Sequence, residues 1–274
     1  MQIKTVEIIE LTKKYSPKAL PAADRLTFEA HKGEIVGVLG HNGAGKTTTL
    51  KCMTGMLPIT SGDIRICGYS IKSEPEKAKA CFGFVTDNHA VFEKMTGREY
   101  VDFMADIYRV SVPLRKERLD KFEASLNLGD AIYNEISSYS HGMKQKISIM
   151  GALIHDPVVW VLDEPMTGLD PQTGFEVKQM MFAHRDKGNT VLFSSHNLDA
   201  VEKLCDKVYI IHKGKLIDSI DMRNFKETSE IGLEEYFFAL IGGMAASDAQ
   251  ASSETSEDNS NLLSPKDDTE SGGQ

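Results

Sequence analysis

The amino-acid sequence predicts an α/β fold with a parallel-sheet core, an antiparallel β subdomain and a helical subdomain. Three observations predict it. Residues 158–211 alternate short apolar strands with helices, the pattern of a parallel sheet covered by helices. Segments within residues 6–30 partly alternate apolar and polar residues, as half-buried antiparallel strands do. Residues 96–128 instead carry apolar side chains at helical spacing, which favours a separate helical region.

Four strands and one helix are predicted in the first 70 residues. The strands are 6–11, 26–30, 35–39 and 63–69, and the helix is 47–53. The third strand is apolar throughout apart from one glycine, so we expect it to be buried on both faces. A glycine-rich connection joins that strand to the helix.

The middle of the chain is predicted to form a helical subdomain over about residues 88–155. One helix carries an apolar stripe that includes Tyr100 and Tyr108. Pro113 separates it from a second helix near 114–127, because proline disfavours the helical conformation in the residue before it. A third helix is expected after Ser140.

The remainder is predicted to complete the core and to end in an acidic tail. The strands are 158–162, 190–193 and 208–211, the helices are 172–187, 197–205 and 232–241, and a hairpin turn follows at 212–215. Residues 1–242 are therefore one folded region. Beyond them, residues 244–274 hold seven acids and one lysine without any aromatic residue, so we expect residues 243–274 to be disordered.

Composition limits the function classes. The chain has 274 residues, 41% apolar and 26% charged, which is typical of a soluble globular protein. The net charge is −9, and this balance favours no nucleic-acid partner. The four cysteines form no C-x-x-C pair, which predicts free thiols in a reducing compartment. No apolar run approaches 18 residues, so no membrane span is predicted.

The most specific pattern is a phosphate-binding loop between the third strand and its helix. It reads Gly, four residues, then Gly-Lys-Thr, and its candidate residues are Gly40, His41, Asn42, Gly43, Ala44, Gly45, Lys46, Thr47 and Thr48. The glycines allow a tight turn that points backbone N–H groups at one anion, and the helix N-terminus adds more. Lys46 supplies a charge to the outer phosphates, and the Thr47 hydroxyl can bind magnesium. We expect the His41 side chain to face solvent.

A second pattern is the pair of acids that ends the strand at 158–162. Asp163 is placed to hold magnesium, directly or through water, and Glu164 to polarise an attacking water. A solvated acidic turn would explain the pair equally well in isolation. The phosphate-binding loop earlier in the chain favours the functional interpretation.

Residues 139–145 carry a third pattern, Tyr-Ser-His-Gly-Met-Lys-Gln. Ser140 suits a helix cap, and Gly142 lets a phosphate approach the backbone. By itself this pattern is more typical of an ordinary helix cap than of a ligand site.

Together these patterns resemble the ATP-binding subunit of an ATP-binding cassette (ABC) transporter over residues 3–242. The matching segments are 40–47 (Walker A), 139–143 (signature), 158–163 (Walker B), 167–170 (D-loop) and 194–196 (switch). The resemblance implies a P-loop NTPase (RecA-like) core and the cofactors ATP and Mg²⁺. It makes Lys46, Glu164 and His196 catalytic, and it adds Tyr15, Ser140, Gly142 and Asp170 to the ATP contacts. Tyr15, 25 residues before Gly40, would lie against adenine.

Two departures from the family pattern affect the expected chemistry. The signature keeps Ser140 and Gly142 but has His141 and Met143 where the family has Gly and Gln. Asp87 stands at the position of the Q-loop glutamine, so we expect Asp87 to contact ATP through the magnesium shell. The metal ligands that the resemblance implies are thus Thr47, Asp163 and Asp87.

The resemblance also implies partners and a location. Two such subunits close head to tail around two ATP molecules, and closure pulls on transmembrane permease subunits. The second subunit is either identical or homologous. The protein is expected in the cytoplasm, held at the cytoplasmic face of the membrane by its permease. The signature and the segment 233–237 look most like ABC-2 exporters.

Three other function classes stay open. A non-transport ABC ATPase would carry two cassettes or a long coiled coil, and neither occurs here. A P-loop kinase or GTPase is another class, but a GTPase would show Asp-x-x-Gly and Asn-Lys-x-Asp, and neither string is present. A regulatory module that binds ATP without hydrolysis is disfavoured by the presence of Lys46, Glu164 and His196.

Overall fold

The computed structural model describes residues 2–87 and 92–243. The chain divides into two compact units, Met1–Thr228 and Ser229–Gln274. In the second unit, residues 233–243 are helical, where the sequence predicts a helix at 232–241. The predicted disorder of the tail from 244 onward lies outside the described residues. No helix in the two described ranges is long and apolar enough to cross a membrane.

The first unit contains a mainly parallel sheet beside an antiparallel one, so the predicted α/β fold class is confirmed. The strands are β1 (Lys4–Lys13), β2 (Ala23–His31), β3 (Ile35–Leu39), β4 (Ser61–Ile66), β5 (Tyr69–Ser70), β6 (Phe82–Val85), β7 (Val159–Asp163), β8 (Thr190–Ser195), β9 (Lys207–His212) and β10 (Lys215–Asp221). One sheet has the order β2-β1-β4-β5, and the other has the order β10-β9-β3-β8-β7-β6.

The antiparallel sheet corrects one predicted element. The single strand expected at 63–69 is wrong, because β4 and β5 are two strands of a hairpin. Cys67 and Gly68 form its turn with φ angles of 51° and 84°. Positive φ at both central residues suits the tight turns that reverse a chain between twisted strands.

The six-stranded sheet is parallel from β9 through β6, and only β10 runs antiparallel to its neighbour. β3 lies between β8 and β9, and all five of its residues are buried. The predicted hairpin turn at 212–215 joins β9 to β10. β10 itself was not predicted, because it is an edge strand whose charged and polar residues lack a clear apolar alternation.

Eight helices belong to the described part of the first unit: α1 (Lys46–Met53), α2 (Pro75–Ala80), α3 (Gly97–Ile107), α4 (Val112–Leu126), α5 (His141–Leu153), α6 (Pro171–Asp186), α7 (Leu198–Leu204) and α8 (Met222–Thr228). α2 and α8 were not predicted, since helices this short carry little periodic signal. α3 begins with a capping box in which Thr96 and Glu99 exchange hydrogen bonds. Pro113 lies in the first turn of α4, where proline is tolerated.

Candidate functional site

The predicted site residues that follow strands β3, β6, β7 and β8 meet at one edge of the six-stranded sheet. The phosphate-binding loop follows β3, Glu164 follows β7, His196 follows β8 and Asp87 lies two residues beyond β6. These strands are parallel, so their carboxyl ends lie at the same edge. Ligands of open α/β sheets bind outside this edge.

Two positions in the loop between β3 and α1 accept only glycine. Gly45 has a φ of 109°, and a Cβ atom there would lie 2.2 Å from the carbonyl oxygen of Ala22. A Cβ atom on Gly40 would lie 2.3 Å from the carbonyl oxygen of Ile211. The loop is therefore packed closely against neighbouring backbone, and it leads directly into the N-terminus of α1.

Lys46 is folded back over this loop. Its side chain is 5% exposed, and Nζ donates to the carbonyl oxygens of Gly40 at 2.7 Å and His41 at 3.2 Å. Nζ also lies 3.2 Å from Oε1 of Glu164. The ammonium is thus held between the loop and the acid that follows β7.

Asp163 is the buried acid of the site. Its Oδ1 accepts hydrogen bonds from Thr47 Oγ1 at 3.0 Å and Ser194 Oγ at 2.6 Å, whereas Oδ2 is buried without a hydrogen-bond partner. Burial raises the pKa of this carboxyl, and the nearby Asp87 and Glu164 act in the same direction. An unsatisfied carboxylate oxygen beside a threonine hydroxyl is the donor set that Mg²⁺ prefers, so these residues fit the ion.

Glu164 is held in an unusual backbone conformation. Its φ is 48°, and its N–H donates to Ser194 Oγ at 3.1 Å. Its Oε2 lies 2.9 Å from Nδ1 of His196. Positive φ in a residue other than glycine costs energy and is often found at functional sites. Sequence reasoning placed Ser194 only inside the switch motif, and its two contacts make it a positioning residue for both acids.

A cavity of about 380 Å³ opens at this edge of the sheet. Nine predicted site residues line it: Tyr15, Asn42, Gly43, Gly45, Lys46, Thr47, Thr48, Asp87 and Glu164. The Tyr15 hydroxyl lies 3.0 Å from Thr48 Oγ1, its side chain is largely exposed, and Lys13 Nζ lies over its ring at 5.4 Å from the centroid. Ala22, which sequence reasoning missed, completes the lining.

Other predicted residues act from behind the cavity rather than lining it. Asp163 contacts the lining residue Thr47, and His196 contacts the lining residue Glu164. Gly40 and Ala44 are buried beneath the loop surface. His41 is exposed, as expected, and its Nε2 also lies 2.9 Å from Nδ1 of His212.

The signature and D-loop residues form a second, separate cluster. Ser140 caps α5 by accepting from the N–H of Met143 at 3.3 Å, and Asp170 caps α6 through Thr173. The N–H of Thr173 lowers the pKa of Asp170. A Cβ atom on Gly142 would lie 3.2 Å from Oδ2 of Asp170, so the two helix starts are adjacent. Ser140, Gly142 and Asp170 do not line the cavity.

His141 makes a further contact between the signature segment and the D-loop within this cluster. Its Nε2 lies 3.1 Å from the carbonyl oxygen of Thr167, and the carbonyl can only accept, so Nε2 carries the proton. The imidazole that replaces the expected glycine therefore joins the signature segment to the D-loop of the same chain.

Comparison with known proteins identifies similar sequences and a similar fold. Residues 23–167 match the family described as ABC transporter. The chain is 36% identical over 240 residues to the uncharacterized ABC transporter ATP-binding protein YhcH of Bacillus subtilis (strain 168), covering 87% of this chain and 76% of that protein. It is 34% identical over 207 residues to the linearmycin resistance ATP-binding protein LnrL of the same organism, and the match covers 76% of this chain and 66% of that protein.

A solved structure described as the ATP binding subunit of an ABC transporter superimposes with a TM-score of 0.81 at 28% identity. The match covers 86% of this chain and 99% of that one. The likeness therefore extends beyond the loop and the acids to nearly the whole described fold.

Proposed function

The chain belongs to the ABC transporter family as an ATP-binding domain, and from this premise we propose that it hydrolyses ATP to power a membrane transport complex. One observation carries the proposal: the buried Lys46, the Thr47 hydroxyl and the acid Glu164 line one cavity at the carboxyl edge of the sheet, and Asp163 binds that hydroxyl from behind.

We assign the phosphates of ATP to the loop and to Lys46. The backbone N–H groups at the start of α1 and the Lys46 ammonium supply positive potential for three phosphates. Lys46 has Glu164 as its ion-pair partner, so an outer phosphate would compete with this carboxylate for the ammonium. Tyr15 would lie against the adenine ring at the open end of the cavity.

We assign magnesium to Thr47 and Asp163, with Asp87 close enough to join its hydration shell. The unpartnered Oδ2 of Asp163 supports this assignment. When bound, the ion would neutralise phosphate charge and orient the outer phosphate. Asp87 is shorter than the family's glutamine and carries a negative charge, so it would strengthen the attraction for the ion.

Hydrolysis then depends on Glu164 and His196. A water attacks the outer phosphorus, its proton passes to the Glu164 carboxylate, and the bond to the bridging oxygen of ADP breaks. His196 holds Oε2 of Glu164 at 2.9 Å and is 47% exposed, so it can also contact the outer phosphate. The products are ADP and phosphate.

We also propose the assembly and the direction of transport. Ser140, Gly142 and Asp170 lie away from the cavity of their own chain, and this supports contact with the ATP of a second subunit, as in head-to-tail dimers. The partner subunits would be membrane permeases. Export is favoured by the signature and by the segment 233–237, and one relative is named for linearmycin resistance.

Replacement of Lys46 tests the proposal. Lys46→Ala removes the charge that meets the phosphates, so ATP binding measured by calorimetry and ATPase activity should both be lost. Lys203→Ala is the matched control, because it removes the same charge from an exposed ion pair on α7. ATP affinity of Lys46→Ala within twofold of the wild type would contradict the assignment, and tight binding by a wild type without hydrolysis would favour a regulatory module.

A further inference from the structure

The phosphate-binding loop has a side-chain contact that the ATPase chemistry does not use. Nε2 of His41, the second residue of the loop, lies 2.9 Å from Nδ1 of His212, the last residue of β9. The two rings are tilted, with centroids 5.0 Å apart. One ring nitrogen must carry the proton and donate it to the other.

The turn that follows His212 makes two further contacts with the same loop. The N–H of Gly214 donates to the carbonyl oxygen of Ala44 at 2.8 Å. The carbonyl oxygen of Ile211 approaches Gly40 so closely that a Cβ atom would lie 2.3 Å away. The segment 211–214 therefore touches the loop at its first, second and fifth residues.

The turn is itself anchored to a different part of the chain. The carbonyl oxygen of Gly214 accepts from the N–H of Asp24 at 2.8 Å, at the start of β2. Lys213 and Gly214 have φ angles of 48° and 78°, the conformation of a tight two-residue hairpin turn. The loop is thus supported by a short and constrained turn.

We propose that the β9–β10 turn positions the phosphate-binding loop, with His212 acting through His41. The inference rests on the proposed function, since ATP is the ligand concerned. A loop with three glycines loses much conformational entropy when its N–H groups converge on a phosphate. Contacts that hold the loop in that shape beforehand remove part of this cost and raise the affinity for ATP.

The contact involves one named nitrogen on each ring, so conservative replacements can separate it from general packing. The amide of asparagine overlays Nδ1 of histidine, and the amide of glutamine overlays Nε2. His212→Asn and His41→Gln can therefore keep a hydrogen bond, whereas His212→Ala and His41→Ala cannot.

The experiment measures the Kd for ATP by calorimetry on the full chain. One net hydrogen bond corresponds to about a two- to twelvefold change. We expect each alanine variant to bind ATP about two- to twelvefold more weakly, and His41→Ala/His212→Ala to bind no more weakly than either single variant. His212→Asn and His41→Gln should restore most of the affinity. Lys215→Ala, an exposed residue just beyond the turn, is the matched control.

Steady-state kinetics supply a second readout, since a positioning role should raise KM while leaving kcat at saturating ATP close to the wild type. Thermal unfolding midpoints equal to the wild type establish that the variants fold. Unchanged affinity of His212→Ala, or additive losses in the double variant, would overturn the inference while the proposed function stood. A wild type that failed to bind ATP would overturn both.

Discussion

Glu164 is held both by its side-chain contacts and by its backbone conformation. Its two carboxylate oxygens lie 3.2 Å from Lys46 Nζ and 2.9 Å from His196 Nδ1, and its backbone is held at positive φ. A carboxylate fixed between a cation and an imidazole is oriented before the substrate arrives. Its side chain is therefore already aimed into the cavity, as a general base requires.

Glu164→Gln should bind ATP normally but hydrolyse it about 10²–10⁴-fold more slowly, because the amide cannot accept the proton of the attacking water. ATP would then accumulate in a closed dimer that size-exclusion chromatography detects. Glu227→Gln, at an exposed position on α8, is the control and should keep wild-type turnover. Turnover of Glu164→Gln at the wild-type rate would exclude the assigned role.

At the element scale, α6 carries a histidine that is buried against the core. His184 is 5% exposed, and its Nε2 has no hydrogen-bond partner. Its ring packs edge-on against Trp160, with the ring centroids 5.9 Å apart. Burial lowers the pKa of His184 to about 4. Burial also lowers the pKa of His155, just beyond α5, to about 4.

These two histidines should make stability fall with acidity. Between pH 6.5 and pH 4 the unfolded chain binds protons on them that the folded chain does not, so the free energy of unfolding decreases as pH falls. Each histidine lowers the free energy of unfolding by roughly 3 kcal/mol between neutral pH and pH 4. Urea unfolding between pH 7 and 4.5 should show the loss, and His184→Leu should reduce it by roughly 2 kcal/mol. Parallel pH curves for wild type and variant would contradict this account.

The N-termini of α5 and α6 determine where the signature, residues 139–143, lies. Ser140 and Asp170 each cap a helix, and Gly142 permits their close approach. Local caps hold this cluster together, and its residues do not line the cavity.

At the scale of the whole molecule, the separation of the cavity from the signature cluster predicts how a dimer works. A mixed dimer with Lys46→Ala in one subunit and Ser140→Arg in the other keeps one intact composite site. Both changes in the same subunit damage both sites. ATPase assays of the two dimers, assembled with distinguishable tags, should therefore show activity only in the first. Equal activities would refute the head-to-tail arrangement.

The sequence alone was sufficient for the local features of this protein. The phosphate-binding loop, the buried strands β3 and β7, and the acids after β7 depend on neighbouring residues, so residue order carries the information. The same holds for α3, whose apolar stripe extends over several turns. The strands β6 and β10 and the short helices α2 and α8 were not predicted.

Only the tertiary structure decided which distant residues complete the site. His41 and His212 are 171 residues apart, and Ser194 lies 31 residues from Asp163, so no local pattern marks either contact. The parallel sheet brings them together because its strands end at one edge irrespective of their distance along the chain. The placement of Ser140 outside the cavity has a different cause, since Ser140 caps α5 and follows no strand of the sheet.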